Sequence, residues 1–310
     1  MSKKKIIALA ALGVVVVSIV IAIVVPPAVG GGIGLPGRDS VALIHLSGNI
    51  QEGGGTSVLG GGGITPSSLR PRFKRAEDSP SVKAMVLRLD TGGGTVAASQ
   101  EIAGMVRDFP KPVVVSMGDL TASGGYYIAS QADVIVAQPG TLTGSIGVIW
   151  STFNFEGLMQ KIGVEMTAVK AGRHKDMFLP RALTPEERQI IQGMVDNSYD
   201  QFVEAVSNGR DIAEPDVREL ATGRLYTGEQ ALELGLVDVL GGLDAAIVEA
   251  ESQAGIADAE VIELTPTLFE QLFEGPGYGG IVSMVQGDTP LGQDVALLRQ
   301  FLGGYSGLRY

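Results

Sequence analysis

Apolar residues along this chain come in short unbroken runs rather than in strict alternation with polar ones. The runs at 41–46, 84–89, 113–117, 134–137, 145–150 and 164–169 are rich in Val, Ile, Leu and Met and predict strands. Several are apolar at consecutive positions, as expected of parallel strands covered on both faces. Between them the spacing changes to a helical period. Residues 96–109, a segment opening near Ser123, and residues 155–161 predict helices. The clearest helix is 184–208. Thr184 is its N-cap, Pro185 its first residue, and Glu187 closes a capping box. Ile190, Ile191, Met194, Val195, Tyr199 and Phe202 form its core-facing stripe, and Asn208-Gly209 reads as its stop. Shorter helices are expected at 227–236 and 243–252. Strands alternating with helices in this way predict βαβ crossovers and a layered α/β domain with parallel sheets.

The ends of the chain depart from this pattern. Lys3, Lys4 and Lys5 precede 20 uncharged residues, Ile6 to Val25, closed by Pro26 and Pro27. As a helix this run would be about 30 Å long, the thickness of a bilayer core. The lysines predict a cytoplasmic N-terminus, with the rest of the chain beyond the cell membrane. A cleaved signal peptide is the competing reading, but the apolar run is longer than a signal core of about 7–15 residues. Residues 1–27 therefore read as a single-pass anchor and 28–38 as a Gly-rich linker. Residues 39–254 read as the main domain and 255–310 as a C-terminal extension, with amphipathic pieces near 267–273 and 291–302. A second glycine cluster at 53–63 reads as a loop or flap.

Composition narrows the function. Without the three N-terminal lysines, 34 acidic residues face 20 basic ones, a net charge of −14. That argues against nucleic acid as a partner. The absence of cysteine removes a thiol nucleophile, an Fe–S cluster and a thiolate zinc site. Two scattered histidines make no metal-ligand set, and no cofactor is expected.

Four segments carry candidate chemistry. Asp90-Thr91-Gly92-Gly93-Gly94 follows an expected strand and precedes a helix. Its glycines let backbone N–H groups face a ligand, as in half of an oxyanion hole. It lacks both nucleotide-binding glycine spacings. Thr121-Ala122-Ser123-Gly124-Gly125-Tyr126-Tyr127 places a serine at a strand-to-helix turn, which would expose its hydroxyl and offer the Gly124 N–H to an oxyanion. Leu142-Thr143-Gly144-Ser145-Ile146-Gly147-Val148 brackets Ser145 between glycines. Ala171-Gly172-Arg173-His174-Lys175-Asp176 is a basic cluster, in which one cation would have to be desolvated to act as a base. Taken singly, each is also an ordinary turn, N-cap or solvated loop. His45, inside an expected strand, reads as structural. His174 and Lys175 both remain as a base for Ser123.

The segments TASGGYYIAS, TGSIGV and KAGRHKDM, in this order and spacing, resemble the SppA-type signal peptide peptidases. The resemblance continues through LTPEERQIIQGMVDNSYDQFVEAVSNGR to GEQALELGLVDVLGG and covers roughly residues 40–250. It implies a fold related to crotonase and Clp protease, and a serine peptidase that degrades remnant signal peptides. It further implies Ser123 as nucleophile, Lys175 as general base, Ser145 holding the lysine, and the N–H groups of Gly94 and Gly124 as the oxyanion hole. Subunits of such enzymes assemble into a ring, with serine and lysine contributed by neighbouring protomers. Tyr126, Tyr127, Ile146 and Val148 are expected near an apolar substrate cleft, or else in the core. The family pattern N-S-P-G-G is replaced here by Asp90 to Gly94, with Gly92 in place of the proline. The segment Ser145-Ile146-Gly147-Val148 has no histidine where a Clp protease carries its own. A non-catalytic membrane scaffold of the same fold is the alternative. An acyl-CoA enzyme is disfavoured because the only basic cluster available for it, Arg70 to Arg75, reads as a solvated loop.

Overall fold

The computed structural model describes residues 38–52 and 63–265. The expected anchor, most of the linker and the 53–63 flap, and both C-terminal amphipathic pieces lie outside them. Among the described residues no helix is long and apolar enough to cross a membrane.

In chain order the elements are β1 (Ser40–Ser47), α1 (Pro66–Asp78), β2 (Val82–Thr91), α2 (Val96–Arg107), β3 (Val113–Ala122), α3 (Gly124–Ala129), β4 (Val134–Ala137) and β5 (Leu142–Gly144). They continue with α4 (Glu156–Lys161), α5 (Pro185–Arg210), α6 (Glu214–Leu220), β6 (Leu225–Thr227), α7 (Gly228–Glu233), β7 (Val239–Leu240), α8 (Leu243–Ala254) and β8 (Glu260–Glu263). The strands form one sheet in the order β6-β5-β3-β2-β1-β8, with β4 pairing β3 and β7. All pairs are parallel except β5 with β6.

Both faces of the central strands are covered, which is why they are continuously apolar. Ala42, Ile44, Leu46, Met85, Leu87, Leu89, Val115 and Met117 pack with α1, α2, α3 and α5. Val41, Leu43, Ala84, Val86, Val114 and Val136 face the small residues Ala246 and Ala250 of α8. Tyr126 is fully buried in the first layer, and its hydroxyl donates to the Leu236 carbonyl at 3.0 Å. Burial pushes that phenol well above its ordinary range.

Strand β3 forks. Its first half pairs with β4 and its last three residues with β5. The fork is made by a bulge, since Leu89 pairs with Met117 but Thr91 with Thr121. The side chains that hold the bulge come from β2. Asp90 Oδ1 accepts the Leu120 N–H at 3.0 Å, and Arg88 donates to Met117 O at 2.6 Å and to Ser116 Oγ at 2.9 Å. Asp90 is thus tied to β3 rather than free to place its charge at a ligand.

Several expectations are corrected. The strand expected at 145–150 is not formed; the strand lies at Leu142–Gly144, because Ser145 turns the chain at φ 50°. Residues 164–169 form no strand, and Val169 is 98% exposed. The basic run from Arg70 is a helix, not a loop. Thr65 caps it by accepting the Ser68 N–H at 3.1 Å, and Leu69, Phe73 and Ala76 turn its apolar face inward. Helix α5 has the expected capping box but runs past Asn208-Gly209 to Asp211, whose φ is 51°. Gly209 is needed there for closeness, since a Cβ would strike the Ser130 carbonyl. Residues 260–263, assigned by sequence to an extension, add β8 to the sheet beside β1.

The N-terminus of α5 is fixed electrostatically. Arg181 forks onto Glu187, Nη1 to Oε2 at 2.9 Å and Nη2 to Oε1 at 2.7 Å, while Glu187 Oε2 also accepts the Thr184 N–H at 2.8 Å. These donors, Arg181 first, hold the Glu187 carboxyl at about 2.

Two outcomes follow from this packing. Tyr126→Phe strands the buried Leu236 carbonyl and should lower stability by about 1–2 kcal/mol in urea titrations. Glu187→Gln should lower the melting temperature at pH 7. A depressed carboxyl contributes stability only above its unfolded value, so the gap to wild type should close as pH falls from about 4.5 through about 2. A gap that persists at the lowest pH would show that the pair is not its source.

Candidate active site

The site lies at the carboxyl edge of the sheet, where the loops after β2, β3 and β5 converge, the usual place for function in open parallel sheets. The β3 fork delivers Ser123 to this edge. Its backbone has φ 53° and ψ −123°, a region that costs a non-glycine residue about 1–3 kcal/mol. Surrounding hydrogen bonds impose it. Ser123 N–H donates to Gly144 O at 2.8 Å, and Thr143 Oγ1 donates to Thr121 O at 2.7 Å. The serine is partly exposed. The result is the sharp strand-to-helix turn that presents a nucleophilic hydroxyl.

The loop after β2 is pressed against this turn. Gly93, at φ 104°, leaves no room for a Cβ, which would lie 2.8 Å from Gly124 N and 2.9 Å from Ser123 Cβ. A Cβ on Gly94 would collide with the Ile50 carbonyl, and one on Gly124 would strike Ser99 Oγ and lie 3.3 Å from Gly94 N. The peptide N–H groups of Gly94 and Gly124 are therefore neighbours beside Ser123. Among the described residues neither has a backbone acceptor. Ile50 bridges this loop in the parallel pattern, using the Gly93 carbonyl and the Thr95 N–H and leaving the Gly94 N–H free. The Gly124 N–H opens α3, so it has no intrahelical partner. Two orphan donors converging beside a serine can bind an oxyanion. Helix α3 has only six residues, so these local donors matter more than any macrodipole.

Of the remaining expected residues, Ser145 joins this cluster. It follows Gly144, the acceptor of the Ser123 N–H, and its own N–H donates to Arg224 O at 2.8 Å. Tyr126 and Ile146 are fully buried core residues rather than cleft lining, Tyr127 is half-buried against Phe202, and Val148 is partly exposed.

Lys175 is elsewhere. From about 149 to 180 the chain forms an arm outside the layered body, carrying α4 and many exposed apolar side chains. Ile149 is 86% exposed, and Phe153, Leu158 and Phe178 are also open to solvent. Trp150 stacks on Phe178 at 5.4 Å and Phe153 on Phe155 at 5.7 Å. Lys175 sits exposed on this arm, and among the described residues neither it nor Ser123 Oγ makes a side-chain hydrogen bond. The neighbouring basic side chains have partners: Lys170 pairs with Asp176 at 2.5 Å and Arg173 with Glu186 at 2.5 Å, and His174 Nε2 lies 3.5 Å from a Glu186 oxygen. His174 is thus engaged at α5 and not at Ser123. His45 is exposed on β1. Sequence reasoning missed Gly93 and Ser99, whose contacts arise only when distant loops meet. Gly93 does lie in the glycine run, and that run was the available signal.

Known proteins resemble this chain over the region that carries the site. Residues 106–257, which include Ser123, Ser145 and Lys175, match the family model for peptidase family S49. A protein of Synechocystis sp. named as a candidate protease is 40% identical over 230 residues, 73% of this chain and 78% of that one. A candidate signal peptide peptidase SppA of Enterococcus faecium is 35% identical over 227 residues, 72% of this chain but 66% of the relative, just under two thirds of its length. Among solved structures, the 1510-N membrane-bound stomatin-specific protease, a lysine-to-alanine mutant in complex with a substrate peptide, superposes with a TM-score of 0.52 at 19% identity, over 76% of this chain and 97% of that one. Its likeness establishes the mixed α/β, Clp- and crotonase-like fold. By sequence, this chain belongs to peptidase family S49 and is a serine peptidase of the SppA type.

Proposed function

We propose that the enzyme cleaves apolar peptides, remnants of signal peptides among them, with Ser123 as nucleophile and a Lys175 supplied by a neighbouring copy as base. The observation that carries this reading is a contrast. Among the described residues, Ser123 stands in a strained turn beside two N–H groups without a backbone acceptor, while the cation expected to activate it is exposed and forms no ion pair, on an arm rich in uncovered apolar side chains. A lysine acts as a base only when neutral, and its ordinary pKa is about 10.4. Burial disfavours the charged form. Packing of the arm onto another copy would bury Lys175 and bring it to Ser123, with Ser145 as the hydroxyl that orients it.

The chemistry then follows. Neutral Lys175 takes the Ser123 proton as Oγ attacks the scissile carbonyl. The N–H groups of Gly94 and Gly124 stabilise the oxyanion, the protonated lysine gives its proton to the leaving amine, and water hydrolyses the acyl-enzyme. An extended substrate would be held by backbone pairing. The relative named as a signal peptide peptidase supports this substrate class. The 20-residue apolar run at 6–25 supports a single-pass anchor that meets such peptides at the membrane, with the catalytic domain on the extracytoplasmic side.

Two tests address these readings. Ser123→Ala and Lys175→Ala should each lose at least about 10³-fold in kcat/KM on a fluorogenic apolar peptide. Mixing the two inactive proteins and allowing exchange should restore measurable activity. No recovery on mixing would place serine and lysine in one chain, and activity in Lys175→Ala would remove the lysine from the mechanism. Deletion of residues 1–27 should move the protein from the membrane to the soluble fraction; continued sedimentation with membranes would assign attachment to another segment.

A further inference from the structure

Lys175 belongs to no helix or strand, and the irregular segment that carries it is pinned at one side. Asp176, its immediate neighbour, has a side chain that is 15% exposed; Oδ1 meets Lys170 Nζ at 2.5 Å and Oδ2 meets Arg181 Nη2 at 3.3 Å. Arg181 forks onto Glu187, whose side chain is only 4% exposed. Arg181 also donates to the Ala182 carbonyl at 2.9 Å, and Lys170 to the Arg173 carbonyl at 3.0 Å. A continuous chain of charge-assisted bonds therefore runs from the residue beside Lys175 to the first turn of α5, which is itself locked by the Thr184–Glu187 capping box. Lys170 and Arg181 together hold the Asp176 carboxyl below the usual carboxylate range.

We propose that Arg181 is a positioning residue for Lys175. It clamps Asp176 to Glu187, so the lysine-bearing segment keeps one geometry against the rigid start of α5. This inference rests on the proposed role of Lys175 as base. Two consequences separate it from simple structural support. The bidentate fork requires a guanidinium, which a lysine cannot imitate. The clamp also occupies the Asp176 carboxylate, the anion next in sequence to Lys175, so that among the described residues the lysine has no counter-ion.

The test uses the full-length protein in detergent micelles, with Arg181→Gln, Arg181→Lys and Lys175→Ala, and with Arg218→Gln as a control. Arg218, on α6, pairs at 2.8 Å with Asp200 of α5, away from the clamp. Misplacement of a reacting group is costly, so Arg181→Gln should lower kcat on the order of 10- to 100-fold while KM stays within about twofold. Added guanidinium ion should recover part of that rate, and Arg218→Gln should behave as wild type. Arg181→Lys keeps a charge and serves as the readout if Arg181→Gln does not fold; it should show the same kcat-specific loss in milder form. Normal kcat in the folded Arg181 variants, or a loss that tracks only the folded fraction and is not rescued by guanidinium, would overturn the proposal. Full activity in Lys175→Ala would instead remove the dyad, and the positioning role would fall with it.

Discussion

The site depends on a steric constraint, the absence of room for a side chain where the 92–94 loop crosses the 122–124 turn. A Cβ at Gly93 would lie within 3.0 Å of Gly124 N, Ser123 Cβ and Ala122 O, closer than non-bonded atoms settle. Gly94 is equally confined by the Ile50 carbonyl, and Gly124 by Ser99 Oγ. Because the backbones touch, their N–H groups converge on one point. Donors held in this way need no reorganisation when charge develops beside them, which on the proposed reading is the source of their catalytic value. The confinement falls on Gly93 and not on Gly92, the position where the resemblance implies a proline. Gly92 has only the Leu120 Cδ2 near its missing side chain, at 3.5 Å, whereas Gly93 is fixed from three directions and its N–H donates to Thr91 Oγ1 at 3.1 Å.

That crossing is set up by the sheet. Parallel strands buried on both faces bring β2, β3 and β5 to a common carboxyl edge, and the bulge in β3 steers Ser123 toward β5. The polar residues that hold the bulge, Arg88 and Asp90, lie beyond the part of that sheet face packed against α8. The arm lies outside the layered body. Its aromatic and aliphatic side chains, Ile149, Phe153, Leu158 and Phe178 among them, remain exposed.

Much of this was legible in the sequence, for a reason that also explains the failures. Continuous apolar runs at 41–46, 84–89 and 113–117 reported two covered faces, and the Thr184-Glu187 box reported its helix start, because these signals are local. The runs at 145–150 and 164–169 look the same in composition, yet their residues meet no sheet. Ser145 adopts a left-handed turn, and the chain then leaves the body. Composition alone does not distinguish such runs from the strands of the core. The helix at Pro66–Asp78 was hidden by its basic outer face, although Leu69, Phe73 and Ala76 keep helical spacing. Of the site, Ser123 and the flanking glycines could be read from turn chemistry. The contact between Gly93 and Ser123 could not, since 30 residues separate them and only strand register joins them.

Placing nucleophile and base on parts of the chain that do not meet has a physical consequence. Ser123 with its N–H groups is complete within one body and needs no further folding. An exposed lysine keeps its hydration, and a hydrated ammonium is no base. On the proposed reading, assembly performs two operations at once: it removes water from the lysine and delivers it to the serine. The exposed apolar side chains of the arm supply the driving force for both. Confinement to a membrane would raise the effective concentration of copies and favour that step. An isolated chain would then carry a preorganised oxyanion site with no means of activating its serine. Unassembled enzyme would be harmless to newly exported proteins, and hydrolysis would be restricted to places where several copies have gathered.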